Sequence, residues 1–270
     1  MSNLQRLDII YEDDDIILCR KPAGVATQTK RLGQQDMESL LRNYRAKKKE
    51  PTYIGVVHRL DQPVEGIMVF AKNQEAAASL SKQIQQKIIG KHYYAISANA
   101  PAQKEGKLED YLVTDKKTNV TRVVKLDSGI SKANGEIDKA NARGIGKNKL
   151  PENAKKAILE YKLIGERDGL YLFDIHLHTG RQHQIRVQMA HMGCPLLGDS
   201  KYGDGSSDKK LEADSKLIAG NEEVGPVVLG SDRLGLALCS YRLAFTHPTT
   251  KKRMDFSIKP RGGAFACVVR

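Results

Sequence analysis

Between Ile158 and His178 the chain alternates apolar and polar residues with a period of two, first in ILEYKLI and again in LYLFDIHLH from Leu170. That period belongs to strands with one buried face, so the chain must build a sheet with an apolar side to cover. Glu166 to Gly169, between the two runs, suit a hairpin turn. In the second run Tyr171, Phe173, Ile175 and Leu177 share one face, which leaves Asp174, His176 and His178 on the other.

Other segments supply further strands and the helices to pack on them. LDIIYEDDDIILC from Leu7 reads as two short strands joined by an acidic turn at Asp13 to Asp15, and KPAG at Lys21 to Gly24 breaks the pattern. Ala76, Ala77, Leu80, Ile84 and Ile88 recur at helical spacing, with Asn73 as N-cap and Gly90 as the stop. The strand KHYYAIS follows, with Tyr93 and Tyr94 on opposite faces. After Thr179 and Gly180, the residues Ile185, Met189 and Met192 mark a helix ended by Gly193, with Thr179 and Gln182 as a capping box. Strands interspersed with helices and no internal repeat predict one α+β domain. Two polar stretches, 127–156 and 204–232, read as surface insertions in it; residues 131–156 hold seven Lys or Arg against three Asp or Glu.

Charge narrows the partners. Forty-four Lys and Arg against 32 Asp and Glu leave a formal +12, which favours a polyanion such as nucleic acid. Cys19, Cys194, Cys239 and Cys267 form no CxxC pair and read as free thiols of a reducing cytoplasm. The N-terminus lacks a signal-peptide pattern, and no apolar run is long enough to span a bilayer, so neither secretion nor a membrane partner is expected.

Three clusters could carry chemistry. In VVHRLDQPVEGIMVFAKN, from Val56, the charged residues His58, Arg59 and Asp61 sit between runs that read as buried strands. Asp61 is either an ion-pair partner at a sheet edge or a working carboxylate. HLHTGRQHQIRVQMAHMG, from His176, holds four histidines, but His183 and His191 lie eight residues apart on the predicted helix, and no Glu follows a histidine in HExxH spacing. A catalytic zinc is not expected there. Gln182, His183 and Arg186 instead make a polar flank beside Ile185 and Met189. Of Tyr93 and Tyr94, one is core and the other half-exposed, unless one faces a basic groove and stacks on an unpaired base.

Taken together and in order, VVHRLDQPVEG, KHYYAIS, LHTGRQHQIRVQMAHMGCPLLGDSKYG and LALCSYRLAFTHP resemble the RluA-type pseudouridine synthases, over about Ile9 to Ile258. HRLD with TGRxHQIR and GDxxYG is a specific combination that no single piece provides. The resemblance implies a single catalytic domain over 1–270, built on a bent, mixed, mainly antiparallel sheet with flanking helices. Members often carry an N-terminal RNA-binding domain, but KPAG begins at Lys21 and a separate domain needs about 50 residues, so none is expected here. The resemblance also implies isomerisation of uridine in ribosomal or transfer RNA, with no cofactor or metal and no obligate protein partner.

By the same resemblance Asp61 is the catalytic aspartate, as nucleophile or as base toward the sugar. Tyr93 stacks on the uracil, Arg186 holds the aspartate charged and oriented, and Leu238 floors the uracil pocket. Arg59, Arg181 and His183 are expected to face RNA. A module with the same fold that binds or chaperones RNA without catalysis is the alternative, and a zinc hydrolase using the histidines is a more distant one.

Two departures from the family pattern bear on the site. Val64 and Glu65 stand where many members have Thr-Ser, and Cys239 and Ser240 follow Leu238 where LHA is common. A charge at Glu65, four residues from Asp61, would disfavour the aspartate's ionised form or repel RNA unless it points away or pairs with a base.

Overall fold

The computed structural model describes residues 7–31, 33–124, 150–203, 235–262 and Phe265. Among them eleven strands join one sheet, in a path that begins at the N-terminal hairpin of β1 (Asp8–Glu12) and β2 (Ile16–Lys21). Next come β4 (Glu65–Ala71), β10 (Leu238–Thr246), β5 (Gly90–Ser97), β9 (Leu170–Leu177), β8 (Lys155–Arg167), β6 (Glu105–Asp115) and β7 (Val120–Val124). The short β3 (Gly55–Val56) pairs with β4, and β11 (Arg253–Ser257) pairs with β10. Only β10 with β4 runs parallel among these pairs, so the sheet is mixed and mainly antiparallel, as expected.

Burial explains which strands alternate and which do not. Ile17, Cys19, Met68 and Phe70 enter one core while Ile16, Leu18, Ile67 and Val69 enter another across the sheet. Both faces of β2 and β4 are therefore covered, and their sequences read as continuous apolar runs. The first core is covered by α1 (Met37–Lys47) through Leu40 and Leu41 and by α3 (Gln184–His191) through Ile185 and Met189. The second is covered by α2 (Gln74–Gln85) through Ala76 and Leu80.

Several expectations need correction. Asn73 caps α2 through its side chain, which accepts from the Ala76 amide, but the helix stops at Gln85 rather than running to Gly90. Lys87 adopts a left-handed conformation (φ 59°), and the Lys87 and Ile88 amides donate back to Ile84 and Gln83 in a Schellman closure. Gly90 then opens β5, and Ile88 is left exposed. At α3 there is no capping box of Thr179 with Gln182: the N-cap is His183, with φ 52° and no side-chain cap bond. Thr179 Oγ1 instead donates to Gln184 Oε1 at 2.7 Å and accepts from the Ile158 amide. Every residue of α3 from Gln184 to Met189 is buried, so of the polar flank His183 and Arg186 are buried and Gln182 is exposed.

The predicted insertions lie largely outside the described residues, although Lys155 and Lys156, assigned to the first, already belong to β8. No helix among the described residues is long and apolar enough to cross a membrane.

Both departures from the family pattern meet at the parallel junction of β4 and β10. Cys239 pairs with Glu65, and Ser240 with Gly66. Gly66 has φ +148°, and a Cβ on it would fall 2.5–2.6 Å from Ser240 atoms. Only glycine lets these backbones approach so closely.

Candidate active site

Asp61 sits on the loop between β3 and β4, and three contacts fix that loop before any substrate arrives. Lys21, at the end of β2, is fully buried and its Nζ donates to the carbonyls of Pro22, Val25 and Gln62 at 2.6–3.0 Å. Gly24 and Gln62 exchange two further bonds, the Gly24 amide donating to the Gln62 carbonyl and Gln62 Nε2 to the Gly24 carbonyl. Thr27 Oγ1 donates to the Leu60 carbonyl and accepts from the Leu60 amide. Residues 21–27 thus grip the residues on both sides of Asp61. Burial pulls Lys21 down to about 7 against the attraction of Asp61 and Glu65.

His58 faces inward, its Nε2 accepting from the Val69 amide of β4 at 3.1 Å. Burial, with Lys91 nearby, holds its pKa down to about 3, so the ring is a neutral acceptor that anchors the loop to the sheet. The charged run that looked out of place among strands is therefore divided: His58 is structural, Arg59 is exposed and Asp61 faces a cleft.

That cleft, of about 1050 Å³, is lined by Asp61, Tyr93, Arg186 and Leu238 together with Lys91, His178, Arg181 and His183. Tyr93 on β5 and Leu238 on β10 are nearly fully buried, as adjacent strands place them in the same core. Burial, with Asp61 nearby, raises the Tyr93 pKa above the ordinary tyrosine value, so its ring is neutral at physiological pH.

Arg186 approaches Asp61 at 3.7 Å, through Nη1 to Oδ2, but its short bonds go elsewhere. Nε and Nη2 donate to Asp199 at 2.7 and 2.6 Å, a bidentate pair that is almost wholly buried. Burial works against the arginine's charge, yet its bonds and attraction to Asp199, with Asp61 adding, raise its pKa. Asp199 also accepts from the Lys201 and Tyr202 amides, and despite its burial these partners hold its pKa below the usual carboxylate value. The Arg186 guanidinium lies 5.1 Å from the centroid of the Tyr202 ring, within cation–π range.

His183 completes the wall. Its Nδ1 lies 2.7 Å from the Tyr202 hydroxyl and its Nε2 3.9 Å from Asp61 Oδ2, and it is 9% exposed. Arg59 and Arg181 are exposed at the rim, the latter donating from Nε to the Lys156 carbonyl. The structure thus brings Asp61, Tyr93, Arg186, Leu238 and His183 together, with the two arginines outside.

Residue-by-residue reading passed over Lys21, Lys91, Asp199 and Tyr202. Asp199 and Tyr202 are the Asp and Tyr of GDSKYG, one of the motifs that carry the resemblance, and Lys21 opens KPAG.

Glu65 does not face Asp61. Its Oε1 accepts from the Arg261 and Gly262 amides at 2.9 Å, and its Oε2 lies 3.6 Å from Arg20 Nη1. It points away and pairs with a base, the arrangement in which its charge is harmless to the aspartate. Val64, its neighbour, is buried in the same core as Tyr93.

Residues 15–191 match the family described as RNA pseudouridylate synthase. Over 197 residues the chain is 33% identical to ribosomal large subunit pseudouridine synthase C of Rickettsia bellii, covering 73% of this chain and 56% of that protein. It is 29% identical over 255 residues to tRNA pseudouridine synthase C of Pasteurella multocida, covering 92% and 89%. The chain spans little more than half the length of the Rickettsia relative. Among solved structures, human RNA pseudouridylate synthase domain containing 4 aligns over 94% of this chain and 89% of its own, with TM-score 0.66 and 21% identity, a likeness of fold. With a match across about two thirds of its length and the α+β sheet to go with it, this chain belongs to the RNA pseudouridylate synthase family.

Proposed function

We propose that the chain isomerises uridine to pseudouridine in ribosomal or transfer RNA, that residues 1–270 form one catalytic domain, and that it works in the cytoplasm. The observation that carries this reading is the convergence of Asp61, Tyr93, Arg186 and Leu238, from four separated segments, on one cleft. The names of the Rickettsia and Pasteurella relatives support the two RNA classes.

The reaction breaks the N1–C1′ bond, turns the uracil, joins C5 to C1′ and moves a proton from C5. Asp61 supplies the carboxylate, as nucleophile toward C1′ or base toward the sugar. Its neighbours stand off at 3.7 and 3.9 Å, so its oxygens are free for substrate. The target nucleotide must leave its helix to reach the cleft, at a cost of a few kcal/mol. Once there, the neutral Tyr93 ring stacks on the freed uracil and Leu238 floors it, keeping the base in place while it turns. Arg59 and Arg181 at the rim, with His183 deeper in, meet the RNA, and phosphate contacts offset the flipping cost.

RNA tritiated at uridine C5 tests this. The wild type releases tritium from rRNA or tRNA and Asp61→Asn does not. Full release by the variant would overturn the assignment of Asp61. If the wild type bound RNA but released nothing from either class, the chain would be a binding module on the same fold.

A further inference from the structure

The four-histidine segment splits three ways in the fold. His183 joins the active site, and His191 turns to Asp110 at 3.4 Å. The remaining two meet a carboxylate on the neighbouring strand. Glu160 of β8 is the direct cross-strand partner of His176 on β9, and both alternate away from Leu159, Ile175 and Leu177, which enter the core with Tyr93. His178, just past the end of β9, stands two residues from His176 and reaches the same carboxylate.

We propose that Glu160, His176 and His178 bind one divalent cation of the zinc class, stapling β8 to the loop that leads into α3. Two imidazoles and one carboxylate, with a fourth position for water, form a donor set that suits zinc and does not suit Mg²⁺ or Ca²⁺, which take oxygen ligands.

The spacing fits as well. Donors about 2.0–2.2 Å from a tetrahedral ion lie roughly 3.3–3.6 Å from one another. His178 Nε2 is 3.3 Å from Glu160 Oε1 and His176 Nδ1 is 3.9 Å from Glu160 Oε2, and one ligand atom from each residue falls within 4.8 Å of the others. Side-chain adjustment alone closes that gap, since Glu160 is exposed and the histidines are half-buried.

A second observation points to a ligand. His178 Nε2 is buried and makes no hydrogen bond despite its closeness to Glu160. Buried polar atoms are nearly always satisfied, and a cation between these groups would satisfy this one. His92 stacks flat on His176, with centroids 4.5 Å apart and planes 3° apart, which fixes the orientation of that ring. An ordinary ion pair explains the cluster less well, because His178 Nε2 stands 3.3 Å from Glu160 Oε1 without the alignment that would make a hydrogen bond.

The site borders the cleft through His178, and its readout is metal binding, so it is tested independently of the proposed reaction. Metal-free full-length protein is titrated with Zn²⁺ alone against a chromophoric chelator, in a Cys267→Ser background so that this thiol supplies no site. One ion should bind per chain with micromolar or tighter affinity. His178→Gln and Glu160→Gln should each weaken it by at least about tenfold, while His191→Gln leaves it unchanged. Zinc should raise the melting temperature of the parent and not of His178→Gln. Failure of the parent to bind, variants that bind as the parent does, or equal competition by Mg²⁺ would each overturn the proposal.

Discussion

Asp61 and Asp199 share one arginine and are held in opposite ways. Asp199 is buried, binds Arg186 through two bonds of 2.6–2.7 Å and takes two backbone amides as well. Asp61, 30% exposed at its side chain, meets Arg186 only at 3.7 Å. The difference separates two tasks that a single ion pair would confuse. One carboxylate immobilises the guanidinium; the other, in the function proposed above, keeps its oxygens for the substrate.

The largest effect that could break this contrast is expected at Asp61. Asp61→Asn should cost at least about a thousandfold in single-turnover rate. Its folding stability should stay within about 0.5 kcal/mol of the parent, as expected away from buried contacts. A rate loss accompanied by a lowered melting point would make Asp61 part of the scaffold too. Asp199→Ala should show the reverse order of damage: denaturant melts should lose about 3–5 kcal/mol, because a buried guanidinium is left without its partner. If that variant kept full stability, the clamp would not be what holds Arg186.

A pH series sharpens the contrast further. The folded-state pKa of Asp199 lies below its unfolded value, so as pH falls through about 3.8 the unfolded chain takes the proton first. The stabilisation from Asp199 is thus complete above that pH and is lost below it, down through the folded pKa. Urea melts should show a shallower acid decline for Asp199→Asn than for the parent. The smallest effect is expected at Glu65. Glu65→Gln keeps an acceptor for the 261–262 amides and loses the charge opposite Arg20, at about 1 kcal/mol, with turnover within about twofold of the parent. A larger rate loss would mean that Glu65 reaches Asp61 after all.

What could be read from the sequence followed from how far each signal reaches along the chain. The β1–β2 turn, the Asn73 cap and the β8–β9 hairpin are local patterns and were legible. So was α3 as a helix, but its start was misplaced because the side chain that engages Thr179 is Gln184, beyond the assumed cap. The helix α1 escaped notice: its buried face is small, with Met37, Leu40 and Leu41 as its buried apolar residues, though the Asp36–Ser39 capping box was there to be seen. β6 was hidden by the polar residues of its exposed stretch.

At the site, the identities of Asp61, Tyr93, Arg186 and Leu238 came from motif resemblance, and their convergence needed the fold. The direction of Glu65 could not be foreseen, because the amides it binds lie 196 and 197 residues away. The pairing of Glu160 with His176 likewise depends on strand register, which period alone does not fix.

The grip of Lys21, Gly24 and Thr27 on Leu60 and Gln62 makes the chain between them a lasso whose neck lies beside Asp61 and whose body carries α1 and β3. Body and neck then differ in their tolerance of change. Doubling a flexible loop adds only about 0.6 kcal/mol of closure entropy, so residues added to the body would barely tax the site. Removing one residue at the neck would displace the aspartate itself. Insertions are therefore expected to be tolerated in the rope and not at the knot.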